Sequence, residues 1–158
     1  MTAILEIGHG EFTFCAAHTG LHAGGFEPLH GHTYRLALRL SGSMSDAGMV
    51  VDFGPVKTAL RAVVAPLRRR ALLAAHAPGI ALRREDGRVC FGDRDKHYEL
   101  PAGDVTMLPL ANTTTEELAR YLLDQLTPQL PDLAGIGWRE LTLAEAPDVA
   151  AIVRRDLR

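Results

Sequence analysis

The chain has 158 residues, enough for one domain, 1–158, with a core of its own. Its 17 basic and 19 acidic residues leave a formal charge of -2, which excludes a general electrostatic pull toward nucleic acid or an anionic membrane. No apolar run approaches the length that crosses a bilayer, and the amino terminus lacks a basic segment followed by a long apolar one. A soluble, cytoplasmic protein is expected. Two cysteines, Cys15 and Cys90, build neither a disulfide scaffold nor a four-cysteine zinc site, so the default is a reducing compartment.

The first strand expected runs over residues 12–18, where Phe12, Phe14, Ala16 and His18 share one parity and alternate with Thr13, Cys15 and Ala17. A loop over residues 19–28 follows. It is mobile or tightly turned, because it carries Gly20, Gly24 and Gly25, and it delivers Glu27 three residues before His30. Taken alone, Glu27 is a loop carboxylate in water. The next strand begins at the paired histidines, with His30, His32, Tyr34, Leu36, Leu38 and Leu40 on one face and Arg35 and Arg39 on the other. Paired as an antiparallel hairpin, the two strands bring His18, His30 and His32 to one end of an apolar face. Three neutral histidines form a catalytic zinc ligand set that leaves a fourth position open for water or substrate. The bland alternative is that imidazoles at strand ends hydrogen-bond locally.

After polar turn residues at 42–48, Met49, Val50 and Val51 predict a short return strand, and Asp52 an N-cap. A helix follows from Phe53, with Val56, Leu60, Val63, Val64 and Leu67 at helical spacing and Pro55 tolerated in its first turn. Pro66 limits or kinks it. Arg68, Arg69 and Arg70 then suit either a solvated helix end offsetting the dipole or a ligand-anion site. Over about 76–110 the pattern changes to short strands at 80–82, 89–91 and 98–100, with turns at Asp86-Gly87 and Gly92-Asp93. This reads as a β-rich insertion.

Residues 112–115 offer caps for a second helix, whose stripe is Leu118, Leu122, Leu123 and Leu126, with Glu116 and Glu117 in its first turn. Strands at 138–144 and 149–153 close the chain. Leu141, Leu143 and Glu145 share a parity, so a carboxylate continues an apolar face and lies either at the surface or against a partner. His9, His22, His76 and His97 read as surface or loop histidines. Cys15, of opposite parity to His18, reads as a small packing residue.

In order, Phe14-x-Ala16-Ala17-His18, Leu29-His30-Gly31-His32-x-Tyr34, Asp52-Phe53-x-x-Val56-Lys57, Asn112-x-Thr114-x-Glu116 and Glu145-x-Pro147 resemble the 6-pyruvoyltetrahydropterin synthase family. That family includes the 6-carboxytetrahydropterin synthases. The likeness runs from about Phe12 to Val153, interrupted by the insertion. It implies an α+β tunnelling fold, a ββααββ subunit with a four-stranded antiparallel sheet and two helices on one face. It also implies a homo-hexamer built as a dimer of trimers. Zinc would be bound by His18, His30 and His32, Glu145 would hold the pyrimidine edge of a small-molecule pterin, and Thr114 and Thr115 would lie against the ring.

Two departures from the family pattern matter. Members making the 6-pyruvoyl or 6-carboxy product resemble one another in having a cysteine shortly before His-Gly-His, where this chain has Phe26 and Glu27. They also carry an Asp-His pair after the first helix, and counting from Asp52-Phe53 puts Leu67-Arg68-Arg69 at that place. A branch with Glu in place of the cysteine resembles the chain better, its Glu also standing three residues before the first histidine. Those enzymes look like aldolases of the dihydroneopterin side chain. The resemblance therefore implies Glu27 as the catalytic base; Arg68 and Arg69, which depart from the family pattern, either hold a substrate phosphate or an ionised Glu27, or lie outside the site. The implied product is 6-hydroxymethyl-7,8-dihydropterin, for folate or a methanopterin-type C1 carrier. Alternatives are a 6-pyruvoyl- or 6-carboxytetrahydropterin synthase-type lyase with a changed proton relay, and a zinc- and pterin-binding protein without turnover.

Overall fold

The computed structural model describes residues 1–8 and 10–157, so His9 lies outside the described residues. The chain begins with β1 (Thr2–Gly8) and β2 (Phe14–His18), then a two-rung hairpin of β3 (Leu21–His22) and β4 (Gly25–Phe26), then the long β5 (His30–Ser43). Helix α1 (Phe53–Val64) leads to β6 (Ala71–Ala74), the three strands β7 (Ala81–Glu85), β8 (Arg88–Gly92) and β9 (His97–Pro101), and β10 (Val105–Leu108). Helix α2 (Thr115–Leu126), β11 (Ile136–Ala146) and β12 (Val149–Asp156) complete it.

Alternation along β5 dictates the layering. Tyr34, Leu36, Leu38 and Leu40 are fully buried on one face, where they meet the apolar stripes of both helices, Val56, Leu60 and Val64 from α1 and Leu118, Leu122 and Leu126 from α2. Each such leucine contributes on the order of 2 kcal/mol by leaving water. Both helices start where the sequence offers a cap: the Asp52 carboxylate accepts the Gly54 N–H at 2.9 Å, and the Thr114 hydroxyl accepts the Glu117 N–H at 3.4 Å. Helix α1 stops at Val64, and Ala65–Leu67 form a single tighter turn around Pro66.

The antiparallel centre, β2-β5-β11-β12, has the expected four strands, with β2 and β5 paired as expected. The sheet is larger than that, and mixed. Strand β1 pairs with the outer half of β5, Leu5 opposite Leu40, and β6 runs parallel to both β2 and β10. The return strand predicted at 49–51 is not one. Next to it β5 already has a neighbour on each side, Gly42 facing Ala3 of β1 and Ile136 of β11, so no edge is left to pair with. Val50 and Val51 instead pack against the core as a bend before α1.

Strands β7, β8 and β9 form a separate three-stranded sheet, slightly longer at each strand than the apolar runs suggested. Their inner face makes a second apolar cluster in which Val89 and Phe91 meet Phe26 and Leu73 from outside the insertion. The loop that carries Glu27 is thus anchored on the insertion.

Candidate functional site

The β2–β5 register places His18 directly opposite His30 and Ala16 opposite His32. The three imidazoles form a triangle with ring centroids 4.6 Å (His18–His30), 5.1 Å (His18–His32) and 4.8 Å (His30–His32) apart. One nitrogen from each ring lies within 4.8 Å of the others. Main-chain carbonyls orient two of them. His18 Nδ1 lies 2.9 Å from the Thr113 carbonyl oxygen and His30 Nδ1 lies 2.8 Å from that of Pro28. A carbonyl only accepts, so each Nδ1 carries the proton and donates it, and each Nε2 presents a lone pair.

These residues fit a metal. His18 Nε2 is buried and has no hydrogen-bond partner among the described residues, which is the condition of a ligand atom turned toward an ion. Burial also pushes the His18 pKa below the usual imidazole range, against the opposing pull of the Thr113 carbonyl, and the His30 and His32 rings push the same way as burial. A neutral imidazole is the ligating form.

The histidines line one wall of a cleft of about 300 Å³. Glu27 lines it too, its carboxylate lying over Gly20, where an added Cβ would stand 2.7 Å from Oε2. Across the cleft stand Thr114, Thr115 and Glu145. The Thr115 hydroxyl, at the first turn of α2, donates a short hydrogen bond to the half-buried Glu145 carboxylate on β11. Tyr34 underlies the histidines with its ring 5.6 Å from that of His32. Burial holds its phenol protonated, well above the ordinary range, with the Glu145 charge acting in the same direction.

The structure brings together every residue read as a ligand, base or ring contact, and it adds some that sequence reasoning missed. Asn112 Oδ1 accepts the N–H groups of Leu21 and Thr113 at 2.8 Å each, and its Nδ2 donates to the Leu21 carbonyl at 3.0 Å. That side chain ties the loop after β2 to the start of α2. Thr113 acts on His18 through its carbonyl, a role that leaves no trace in side-chain chemistry. His22 and Glu116 also line the cleft.

Arg68 and Arg69 do not join it within this chain. Their segment turns into β6 on the far side of β2, so Arg68 donates to the Glu11 carbonyl and Arg69, at a φ of +55°, points into a separate cavity of about 700 Å³. Cys15 lines that second cavity, opposite in parity to His18 as expected, and His32 belongs to both walls. Among the described residues, no helix is long and apolar enough to cross a membrane.

A four-stranded antiparallel centre carrying two helices on one face, with a histidine triad at the head of its β2–β5 hairpin, defines an α+β tunnelling fold built around a histidine cluster that could hold a metal ion. The family model for 6-pyruvoyl tetrahydropterin synthase matches residues 8–156, and the chain belongs to that family of pterin enzymes. A Methanocaldococcus jannaschii protein provisionally described as a 6-carboxy-5,6,7,8-tetrahydropterin synthase is 27% identical over 152 residues, covering 94% of this chain and 93% of its own. The crystal structure of 6-pyruvoyl tetrahydropterin synthase from Plasmodium vivax superimposes with a TM-score of 0.93 at 29% identity and covers 99% of both chains. A variant of that Plasmodium vivax protein, in which a glutamate described as a catalytic residue is replaced by alanine, matches equally well, with a TM-score of 0.93 at 28% identity and 99% of both chains covered.

Proposed function

We propose that the protein is a zinc-dependent lyase that cleaves the side chain of 7,8-dihydroneopterin or its phosphate, releasing 6-hydroxymethyl-7,8-dihydropterin. One observation carries this reading: a glutamate, Glu27, shares a cleft with the three-histidine cluster, and among the described residues no thiol lines that cleft. The Plasmodium vivax relative, described as having a catalytic glutamate, supports the role of Glu27 rather than the choice of product.

His18, His30 and His32 would hold the zinc, which supplies Lewis-acid polarisation of the side-chain hydroxyls. Glu27 takes the proton from the hydroxyl on the second side-chain carbon. The bond between the first and second carbons then breaks, its electron pair passes into the imine of the reduced ring, and the second carbon leaves as an aldehyde. Return of a proton to the first carbon gives the hydroxymethyl product, so no oxidant or reductant is consumed. Glu145, oriented by Thr115, accepts the paired N–H groups of the 2-amino-4-oxo ring, and Thr114 and Thr115 bound the ring's face.

Incubation of zinc-loaded protein with 7,8-dihydroneopterin and its mono- and triphosphate, followed by chromatography with mass detection, tests the reading. Release of 6-hydroxymethyl-7,8-dihydropterin, lost on Glu27→Gln while zinc and pterin still bind, is the expected result. Unchanged turnover in Glu27→Gln removes Glu27 from the mechanism. A second reading, favoured by the synthase descriptions of the relatives, is a 6-pyruvoyl- or 6-carboxytetrahydropterin product, which differs in mass. The same proposal makes the protein a cytoplasmic homo-hexamer. Support for assembly comes from β12, the outermost strand of the sheet, which exposes Val149 and Ile152.

A further inference from the structure

Glu27 stands on a loop, yet the chain around it is gripped by side chains of the insertion. At the β8–β9 turn, Asp93 Oδ1 accepts the N–H groups of Asp95 at 2.9 Å and Lys96 at 2.8 Å, leaving Oδ2 to accept the N–H of Phe26 at 2.5 Å. Gly25 permits this approach, since a Cβ there would meet the same oxygen at 3.3 Å. Lys96 Nζ donates to the Phe26 carbonyl at 2.6 Å, and the Tyr98 hydroxyl accepts the Leu29 N–H at 3.2 Å. The Phe26 ring is buried edge-on against Phe91, the centroids 6.2 Å apart.

The geometry of one peptide unit matters most. The plane joining Phe26 to Glu27 is held at both ends, its carbonyl by Lys96 and its N–H by the Gly20 carbonyl at 2.9 Å. Pro28 then restricts Glu27 to extended backbone, so little freedom remains in the direction of its Cα–Cβ bond.

We infer that Asp93 and Lys96 are positioning residues, and that the insertion serves to hold the Phe26–Glu27 peptide in the one orientation that seats the Glu27 carboxylate beside the histidine cluster. The inference rests on the reading of Glu27 as the base. It assigns to the 76–110 segment a task that its own chemistry, with no group in the cleft, does not disclose.

The test compares Asp93→Ala, Lys96→Met and Lys96→Arg with the unaltered zinc-loaded chain and with exposed Arg94→Ala as control. Two quantities are read: turnover of 7,8-dihydroneopterin, and amide hydrogen exchange over residues 20–29. Displacement of a catalytic group by about an ångström costs about 100-fold in rate, so kcat should fall about 10- to 100-fold in Asp93→Ala and Lys96→Met, with KM and bound zinc unchanged. Exchange at Phe26 should quicken, and Lys96→Arg should recover most of the rate. In an active protein, unchanged kcat, unchanged exchange or a parallel loss of zinc overturns the inference. Lys96→Met keeps the aliphatic stem and decides the matter if Asp93→Ala does not fold. If the unaltered protein leaves every pterin intact, the proposed function fails, while the exchange measurement still separates a gripped loop from a free one.

Discussion

His18 differs from its two partners by being buried, and that has a pH signature. In the metal-free protein burial holds its imidazole below the ordinary value of 6.5, so between that value and its folded pKa the unfolded chain binds more protons than the folded one. Stability is therefore fully present above about 6.5 and is lost as pH falls through that window. Urea midpoints of metal-free protein at about pH 7.5 and about pH 5.5 should show the decline, and His18→Gln should flatten it. On the opposite wall, Thr115→Val removes the donor that aims Glu145. The expected effect is a rise of several-fold in KM for the pterin, equivalent to about 1 kcal/mol, with bound metal unaltered by metal analysis. The convergence of the three histidines was legible from strand parity once the two strands were taken as an antiparallel pair. Thr113 was not, because a main-chain carbonyl can be presented by any residue type.

Two turns of the same shape use different residues. Asp86-Gly87 joins β7 to β8 with φ values of +48° and +74°, and Ala23-Gly24 joins β3 to β4 at +49° and +83°. Both match the hairpin turn that needs a left-handed residue at each central position, which aspartate tolerates and alanine resists. Ala23→Asn should raise stability by about 1 kcal/mol and Asp86→Ala should lower it by about as much, as read from denaturant midpoints. The sequence showed Asp86-Gly87 as a turn because its chemistry is regular. Strand β6 escaped notice for the opposite reason. Its four residues follow three arginines and bury Ala71, Leu72 and Leu73 only by lying parallel to β2 and β10, pairings too distant along the chain for local pattern to reveal. That same turn into β6 carries Arg68 and Arg69 away from the cleft to which an ungapped count had assigned them.

At the scale of the molecule, the sheet ends at β12, and Ile152 there is 61% exposed. For the proposed hexamer this edge is the place to interfere: Ile152→Lys should reduce the mass found by light scattering toward that of the 17.1 kDa chain. Unchanged mass would exclude the edge as the route of assembly.

The histidine triad has a consequence for the order of folding. All three histidines belong to one hairpin, with His18 and His30 as direct cross-strand neighbours and His32 two residues farther on. A β2–β5 hairpin, whose register ends at Phe14 opposite Tyr34, can therefore gather the three histidines without Thr113, which precedes α2, or Glu145 of β11. Isolated hairpins form in about 1–10 μs and are marginal alone, so an ion captured at that stage would stabilise a nucleus on which the helices later condense. Zinc present from the start of refolding should accelerate folding itself, whereas an ion bound only by the finished structure would slow unfolding and leave the folding rate unchanged.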